Sequence, residues 1–226
     1  MGNETNDSKS LWLHVHSEIP DDRISLGRAS SNAYKTDPRM ISFMAARYKF
    51  VAKLLEGTET VLEVGCGDAF GAPLVAQSVG KLVCTDIDEQ TLADNSRRLK
   101  HAPNLAFEYF DFRKSPYPKP VGAVFCVDVI EHVFPEEEAT FLGHLVRSVQ
   151  DYGTLIVGTP NRTAEQYASA NSRKGHVNLK DYKQLRGSLA ALFHKVFLFS
   201  MNDEVVHTGF YPMAHYLWGV CVGPRR

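Results

Sequence analysis

The 226-residue chain has few cysteines, no excess of either charge and no long apolar run. Its four cysteines, Cys66, Cys84, Cys126 and Cys221, form no Cys-x-x-Cys pair, and three fall in apolar runs expected to be buried strands. They read as reduced packing residues of a cytoplasmic protein. Lysine plus arginine number 25 against 26 acidic residues, a formal net charge of −1. Without a basic excess, a duplex nucleic-acid partner is not expected. No apolar run approaches the length of a membrane span, so no membrane partner is expected. Residues 1–10 are polar and acidic and lack the apolar core of a secretory signal. Gly2 follows Met1, but Asn6 stands where a myristoylation pattern needs serine or threonine. No internal repeat, low-complexity tract or second domain is visible.

Residues 61–71 read Val-Leu-Glu-Val-Gly-Cys-Gly-Asp-Ala-Phe-Gly, an apolar strand running into a glycine-rich turn. Twenty-one residues after Gly65, Asp86 ends a second apolar run that starts at Lys81. Strand, Gly-x-Gly turn, helix and acid-ended strand together make a nucleoside-binding unit. The glycines admit close approach of a ligand, and the acid is placed for both ribose hydroxyls. A dinucleotide site wants Gly-x-Gly-x-x-Gly, but Phe70 occupies the third glycine's place, and the Asp68 carboxylate would repel a pyrophosphate. That speaks against a nicotinamide oxidoreductase and tolerates a ligand bearing a sulfonium and an ammonium.

Val61 to Gly71 resembles motif I of the class I S-adenosylmethionine methyltransferases, with Ala69 where the family has a third glycine. Alanine there is a mild change if its backbone keeps a negative φ. Further along, the alternation of elements is regular. A tail and possible lid, holding Arg28 and Tyr34, covers 1–36, with little order expected over 1–20 and no clear periodicity over 21–36. Asp37-Pro38 opens a helix whose face carries Ile41, Met44, Tyr48, Val51 and Leu55, closed by Gly57. Strands are expected at 60–64, 81–86, 104–110, 121–127 and 154–158, and helices at about 70–79, 88–100, from Pro135, and at 179–193. A polar loop spans 159–178, and 194–200 with 216–222 read as a closing antiparallel pair. The expected fold is α/β: a three-layer sandwich with a seven-stranded, mostly parallel sheet, its last strand antiparallel, and helices on both faces, forming one domain over 37–226.

The resemblance implies S-adenosylmethionine as cofactor and S-adenosylhomocysteine as product. Glu63, Gly65 and Gly67 would surround the methionine part. Asp86 would take the ribose hydroxyls, Ile87 would flank the adenine, and Asp111 would accept from its amino group. Val127 and Asp128 would lie near the methionine ammonium. Asp86 also reads as a helix cap, as Asp88 does, and Asp111 takes its assignment from its spacing after the third strand.

Val127-Asp128-Val-Ile-Glu131-His132-Val133 resembles the Glu-His-Val segment of small-molecule methyltransferases, including the ubiquinone-biosynthesis O-methyltransferases, and Thr159-Pro160-Asn161 a Thr-Pro-Asn segment of the same relatives. His132, whose ordinary pKa lies near working pH, is a candidate general base, with Glu131 and His176 beside it as candidate catalytic residues. Asp128, Glu131 and His132 share a face if this segment makes one helical turn. Methyltransferases acting on the 3′-terminal ribose of small RNAs carry a comparable set plus a distant histidine around a divalent ion. The resemblance therefore extends to a metal held by Asp128, Glu131, His132 and His176. The same residues line the pocket in relatives without a metal, and both readings stand. His14 and His16 read as surface residues. The leading function is methyl transfer to a small-molecule hydroxyl, such as a sugar or a secondary-pathway intermediate. A metal-dependent RNA 2′-O-methyltransferase and a non-catalytic cofactor-binding module are the alternatives.

Overall fold

The computed structural model describes residues 7–225. Three helices, α1 (Ser8–Ser17), α2 (Arg28–Thr36) and α3 (Arg39–Leu54), precede an alternation of strands and helices. It runs β1 (Thr60–Val64), α4 (Ala72–Ala76), β2 (Lys81–Asp86), α5 (Glu89–Arg98), β3 (Leu105–Tyr109), β4 (Val121–Val127), α6 (Pro135–Arg147) and β5 (Val149–Pro160). The chain continues through α7 (Ala170–Gly175), α8 (Tyr182–Ala190), β6 (Phe193–Asn202), β7 (Val205–His207) and β8 (Tyr216–Pro224).

The strands form one sheet in the order β3-β2-β1-β4-β5-β8-β6-β7. β1 to β5 pair in parallel, while β8 runs antiparallel to both β5 and β6. Because alternate side chains point to opposite faces, β4 sends Ala123, Phe125 and Val127 into one core and Val124 and Cys126 into the other. Tyr48 and Val51 of α3, Leu55 at its C-cap and Val75 of α4 cover the first face. Phe141, Leu142 and Leu145 of α6, with Leu185 and Leu189 of α8, cover the second. Both faces are thus closed to water, as a central parallel sheet requires. The carboxyl ends of β1, β2, β4 and β5 face one edge, where ligands of such sheets bind.

Three local expectations change. The sheet has eight strands rather than seven, because β7 adds a three-residue antiparallel edge to β6. β5 is longer than 154–158 at both ends: it starts at Val149, which pairs with Val121 of β4, and its antiparallel ladder with β8 continues to Pro160↔Tyr216. The 159–178 loop holds a 3-10 turn over Arg162–Tyr167, capped by Asn161, and helix α7, capped by the Ser169 hydroxyl.

Part of the stretch expected to lack order is also helical. Asp7 accepts from the Lys9 and Ser10 amides to start α1, whose His14 and His16 are exposed. Residues 1–6 lie outside the described residues. α2 has no local capping side chain at Gly27. Its cap is Asp68, 38 positions away, whose Oδ2 accepts from the Ser30 amide (2.7 Å) and hydroxyl (2.9 Å). Among the described residues no helix is long and apolar enough to cross a membrane.

Candidate functional site

The glycine-rich turn leaves β1 with Gly65 at φ 71° and Gly67 at φ 50°, the left-handed region that favours glycine. A Cβ on Gly65 would stand 2.6 Å from Val129 Cγ2, so the turn after β4 closes directly over the turn after β1. Asp86, at the end of β2, braces this arrangement. Its Oδ2 accepts from the Gly67 amide (2.9 Å) and its Oδ1 from Ile87 (2.7 Å) and Asp88 (3.0 Å). Asp88 is the cap of α5, accepting from Gln90 and Thr91. Both acids keep the local roles their positions suggest, and Asp86 remains partly open to solvent.

A cavity of about 140 Å³ brings Gly65, Asp86, Ile87, Asp111 and His132 together. Phe110, Phe112, Val133 and Phe141 supply its apolar lining and Arg113 its rim. The Arg113 fork donates to both carboxylate oxygens of Asp111 (2.9 and 3.0 Å) and holds that carboxyl below its ordinary range. An apolar slot with a few aimed polar groups is what a purine nucleoside needs.

Two residues of the turn behave differently from expectation. Ala69 has φ 53° and is buried, so the condition of a negative φ is not met. It holds the conformation the usual third glycine would adopt freely. Glu63 is sealed beneath the turn. Its Oε1 accepts from the Tyr48 hydroxyl (2.7 Å) and its Oε2 from the Cys84 thiol (3.2 Å). Burial pushes its pKa up to about 7 against the pull of those two donors. As placed, Glu63 ties β1 to α3 and β2 and does not face the cavity.

At the end of β4, Val127 pairs with Gly158 and the Asp128 amide donates to the Gly158 carbonyl (3.1 Å). Asp128 then turns the chain at φ 58°, which aspartate tolerates better than most residues. Its Oδ2 accepts from Arg47 Nη1 at 2.7 Å, while Oδ1 is buried without a partner. Arg47 also lies 4.0 Å over the ring of Tyr216.

The following 3-10 turn, Ile130–His132, points Glu131 inward and His132 outward. Glu131 is fully buried. Its Oε2 accepts from the Thr159 hydroxyl (2.9 Å), and its Oε1 has no partner. Burial, and then the Asp128 charge, push its pKa up to about 8. His132 Nδ1 donates to the Gly175 carbonyl (2.8 Å), since a carbonyl only accepts. That leaves Nε2 with a lone pair to offer. The His176 ring stands 5.1 Å from the His132 ring, and burial followed by His132 lowers its pKa, favouring the neutral imidazole.

Ligand atoms of Glu131, His132 and His176 lie within 4.8 Å of one another. A buried carboxylate oxygen without a partner and two imidazoles form a donor set that fits a divalent cation. Asp128, the fourth expected member, is paired with Arg47 instead.

In the sequence Arg47 carries no motif, Tyr48 reads only as an apolar-face residue and Thr159 only as part of the Thr-Pro-Asn segment. Arg47 and Tyr48 are adjacent on α3, yet one reaches Asp128 and the other Glu63. No local signal marks Arg47, whose partner is 81 positions away.

A Gly-x-Gly turn after the first strand of a parallel sheet, an acid ending the second, and a polar cluster after the fourth are the arrangement found in class I methyltransferase domains, which bind S-adenosylmethionine. Residues 61–153 match the methyltransferase domain family. Over 103 residues, 45% of this chain and 38% of the relative, the sequence is 33% identical to a probable S-adenosylmethionine-dependent methyltransferase of Mycolicibacterium smegmatis. It is 31% identical over 112 residues, 48% of the chain and 43% of the relative, to a ubiquinone biosynthesis O-methyltransferase of Rickettsia akari. The chain thus spans about two-fifths of the length of the curated relatives it matches. The fold is shared with the methyltransferase domain of bacterial CtHen1-C, with a TM-score of 0.67 and 16% identity over 80% of this chain and 99% of that one.

Proposed function

We propose that this protein transfers a methyl group from S-adenosylmethionine to a hydroxyl oxygen of a small acceptor, such as a sugar or another hydroxylated metabolite. One observation carries the reading: Glu131, His132 and His176 converge beside the cavity that Gly65, Asp86, Ile87 and Asp111 line. A nucleoside bound there, with its ribose on Asp86 and its base between Ile87 and the phenylalanines, directs its other end toward Asp128, Glu131 and His132. Arg47 sets a cation at that end.

Methyl transfer is an in-line displacement at an already activated sulfonium, so the protein's task is alignment and removal of one proton. His132 Nε2 is free to take the hydroxyl proton, because Nδ1 is committed to Gly175. The imidazole is held in one tautomer by that bond, which suits a base. His176, kept neutral, faces the same space. The three side chains also suit a divalent cation, which when bound would lower the pKa of a hydroxyl. Because Glu131 holds a proton up to a pH of about 8, a cation would displace it, and metal affinity would rise with pH. The near-neutral charge favours a small acceptor over a polyanion.

Calorimetric titration with S-adenosylhomocysteine tests the cofactor half. Micromolar binding to the cofactor-stripped protein, weakened about 10- to 100-fold in Asp86→Ala, is expected from losing one charge-assisted bidentate contact. No binding by the folded wild type would overturn it. A screen of hydroxylated acceptors with and without EDTA tests the rest, and turnover unchanged in both His132→Ala and His176→Ala would remove the acceptor-side assignment.

A further inference from the structure

We propose that Glu138 and Lys180, which do not line the cofactor cavity, are positioning residues that hold His176 against His132. The inference rests on the acceptor-side role of His176 proposed above.

Both residues are buried, at 8% and 7% exposure. Glu138 lies on α6 and Lys180 just before α8. Glu138 Oε2 accepts from Lys180 Nζ and from Asn178 Nδ2 (2.8 Å), and its Oε1 accepts from the Ser188 hydroxyl of α8 (2.8 Å). Lys180 Nζ donates as well to Asn178 Oδ1 (2.7 Å). Burial raises the Glu138 carboxyl, but the bonds from Lys180, Asn178 and Ser188 outweigh it and keep the group below its ordinary range. The carboxylate is therefore ionised and fully engaged.

The backbone continues the arrangement toward the site. The amides of Val177 and Asn178 both donate to the Glu131 carbonyl (2.9 and 3.0 Å). The Lys180 carbonyl accepts from the Arg162 amide (2.9 Å) beside the Asn161↔Lys180 bridge. His176 is one residue from the first of these bonds and four from the lysine. The segment is anchored at 177–178 and again at 180 on one side of His176, and on the other by the His176 amide bond to Ser172 and the His132 bond to the Gly175 carbonyl.

Stability alone does not account for the pair. Removing two charges from water costs several kcal/mol, and a buried ion pair is commonly no more stabilising than apolar residues of the same volume. The α6–α8 layer already has an apolar core in Leu142, Leu145, Leu185 and Leu189. What the pair adds is register: a lysine and an asparagine locked to one carboxylate allow a single placement of 176–180, whereas apolar residues would allow several.

The test reads the two histidine rings directly. Ring 1H–13C correlation spectra of the full chain are recorded for wild type, Lys180→Met and Lys180→Arg, with His132→Gln and His176→Gln as assignments. Cooperative thermal unfolding serves as the fold control. In Lys180→Met the His132 and His176 signals are expected to lose the shift each ring imposes on the other and to resemble those of the single-histidine variants. Lys180→Arg is expected to restore them. If Lys180→Met does not fold, Glu138→Gln takes its place, because it keeps the volume and removes only the charge. Unchanged ring signals in a folded variant, or signals that move equally in Lys180→Arg, would overturn the proposal. The readout needs neither cofactor nor acceptor, so its failure is distinct from failure of the functional assignment.

Discussion

Arg47 and Asp128, 81 positions apart, meet at 2.7 Å and join the helix before the first strand to the turn after the fourth. The guanidinium lies on the Tyr216 ring and overcomes its own burial through the Asp128 charge. Arg47→Met would leave a carboxylate unpaired on a turn with positive φ. Asp128 is partly exposed, so the loss is expected at about 1–3 kcal/mol rather than the full value for a buried pair. Asp128→Asn, which tolerates the same φ, should lose less. Denaturant melts of both variants measure this, and an Arg47→Met as stable as wild type would show the pair to be incidental.

Ala69 gives a prediction of opposite kinds for two substitutions. At φ 53° its backbone carries about 1–2 kcal/mol of left-handed strain. Ala69→Gly relieves that strain but loses a buried methyl and gains unfolded-state entropy, each about 0.5–1 kcal/mol, so stability should stay within about 1 kcal/mol of wild type. Ala69→Val places a β-branched residue in the same conformation in a fully packed site and should cost about 2–4 kcal/mol. Thermal unfolding of the pair decides the matter. A tolerated valine would mean that the turn adjusts.

Glu63 makes stability depend on pH. Its pKa is raised to about 7 in the folded protein, while in the unfolded chain it takes the ordinary glutamate value. Between those limits the folded state holds a proton that the unfolded state has lost, so stability falls as pH rises, by ~1.4 kcal/mol per pH unit for this group. Glu131 acts in the same direction up to about 8. Glu63→Gln should flatten the slope between pH 5 and 7. Denaturant midpoints measured across that range test the claim, and identical slopes in mutant and wild type would refute it.

Gly27 marks where α2 docks on the glycine-rich turn. A Cβ there would lie 2.3 Å from Asp68 Cβ. Gly27→Ala should push α2 off the Asp68 cap, as should Asp68→Ala, which removes a cap worth about 1 kcal/mol. Amide exchange in residues 28–36 should accelerate in both while the β4 amides stay protected. Slow exchange of α2 in Gly27→Ala would show that the contact yields.

Much of the fold was legible in the chain because the signals are local. β2 and β4 have the boundaries their apolar runs predict, and Asp88 caps α5 as its position before a polar helix implies. The Gly-x-Gly turn and the acid ending β2 announce a nucleoside site for the same reason: close approach and ribose recognition need those residue types at that spacing. Asp86, Ile87 and Asp111 share one cavity because parallel pairing puts the ends of adjacent strands together.

What local pattern does not carry is partnership across the chain. α2 has no periodicity of its own and is capped by Asp68. Glu63 follows the family motif but turns out to be sealed between Tyr48 and Cys84. The sequence by itself determined the α/β alternation, the glycine turn and the histidine next to Glu131, since each depends on neighbours a few residues away. Only the tertiary structure decided that Asp128 belongs to Arg47, that His176 stands beside His132, and that Glu138 and Lys180 are locked together. Those pairings span 81, 44 and 42 positions. A charge gains a partner at that range only after the sheet has closed and excluded water around it.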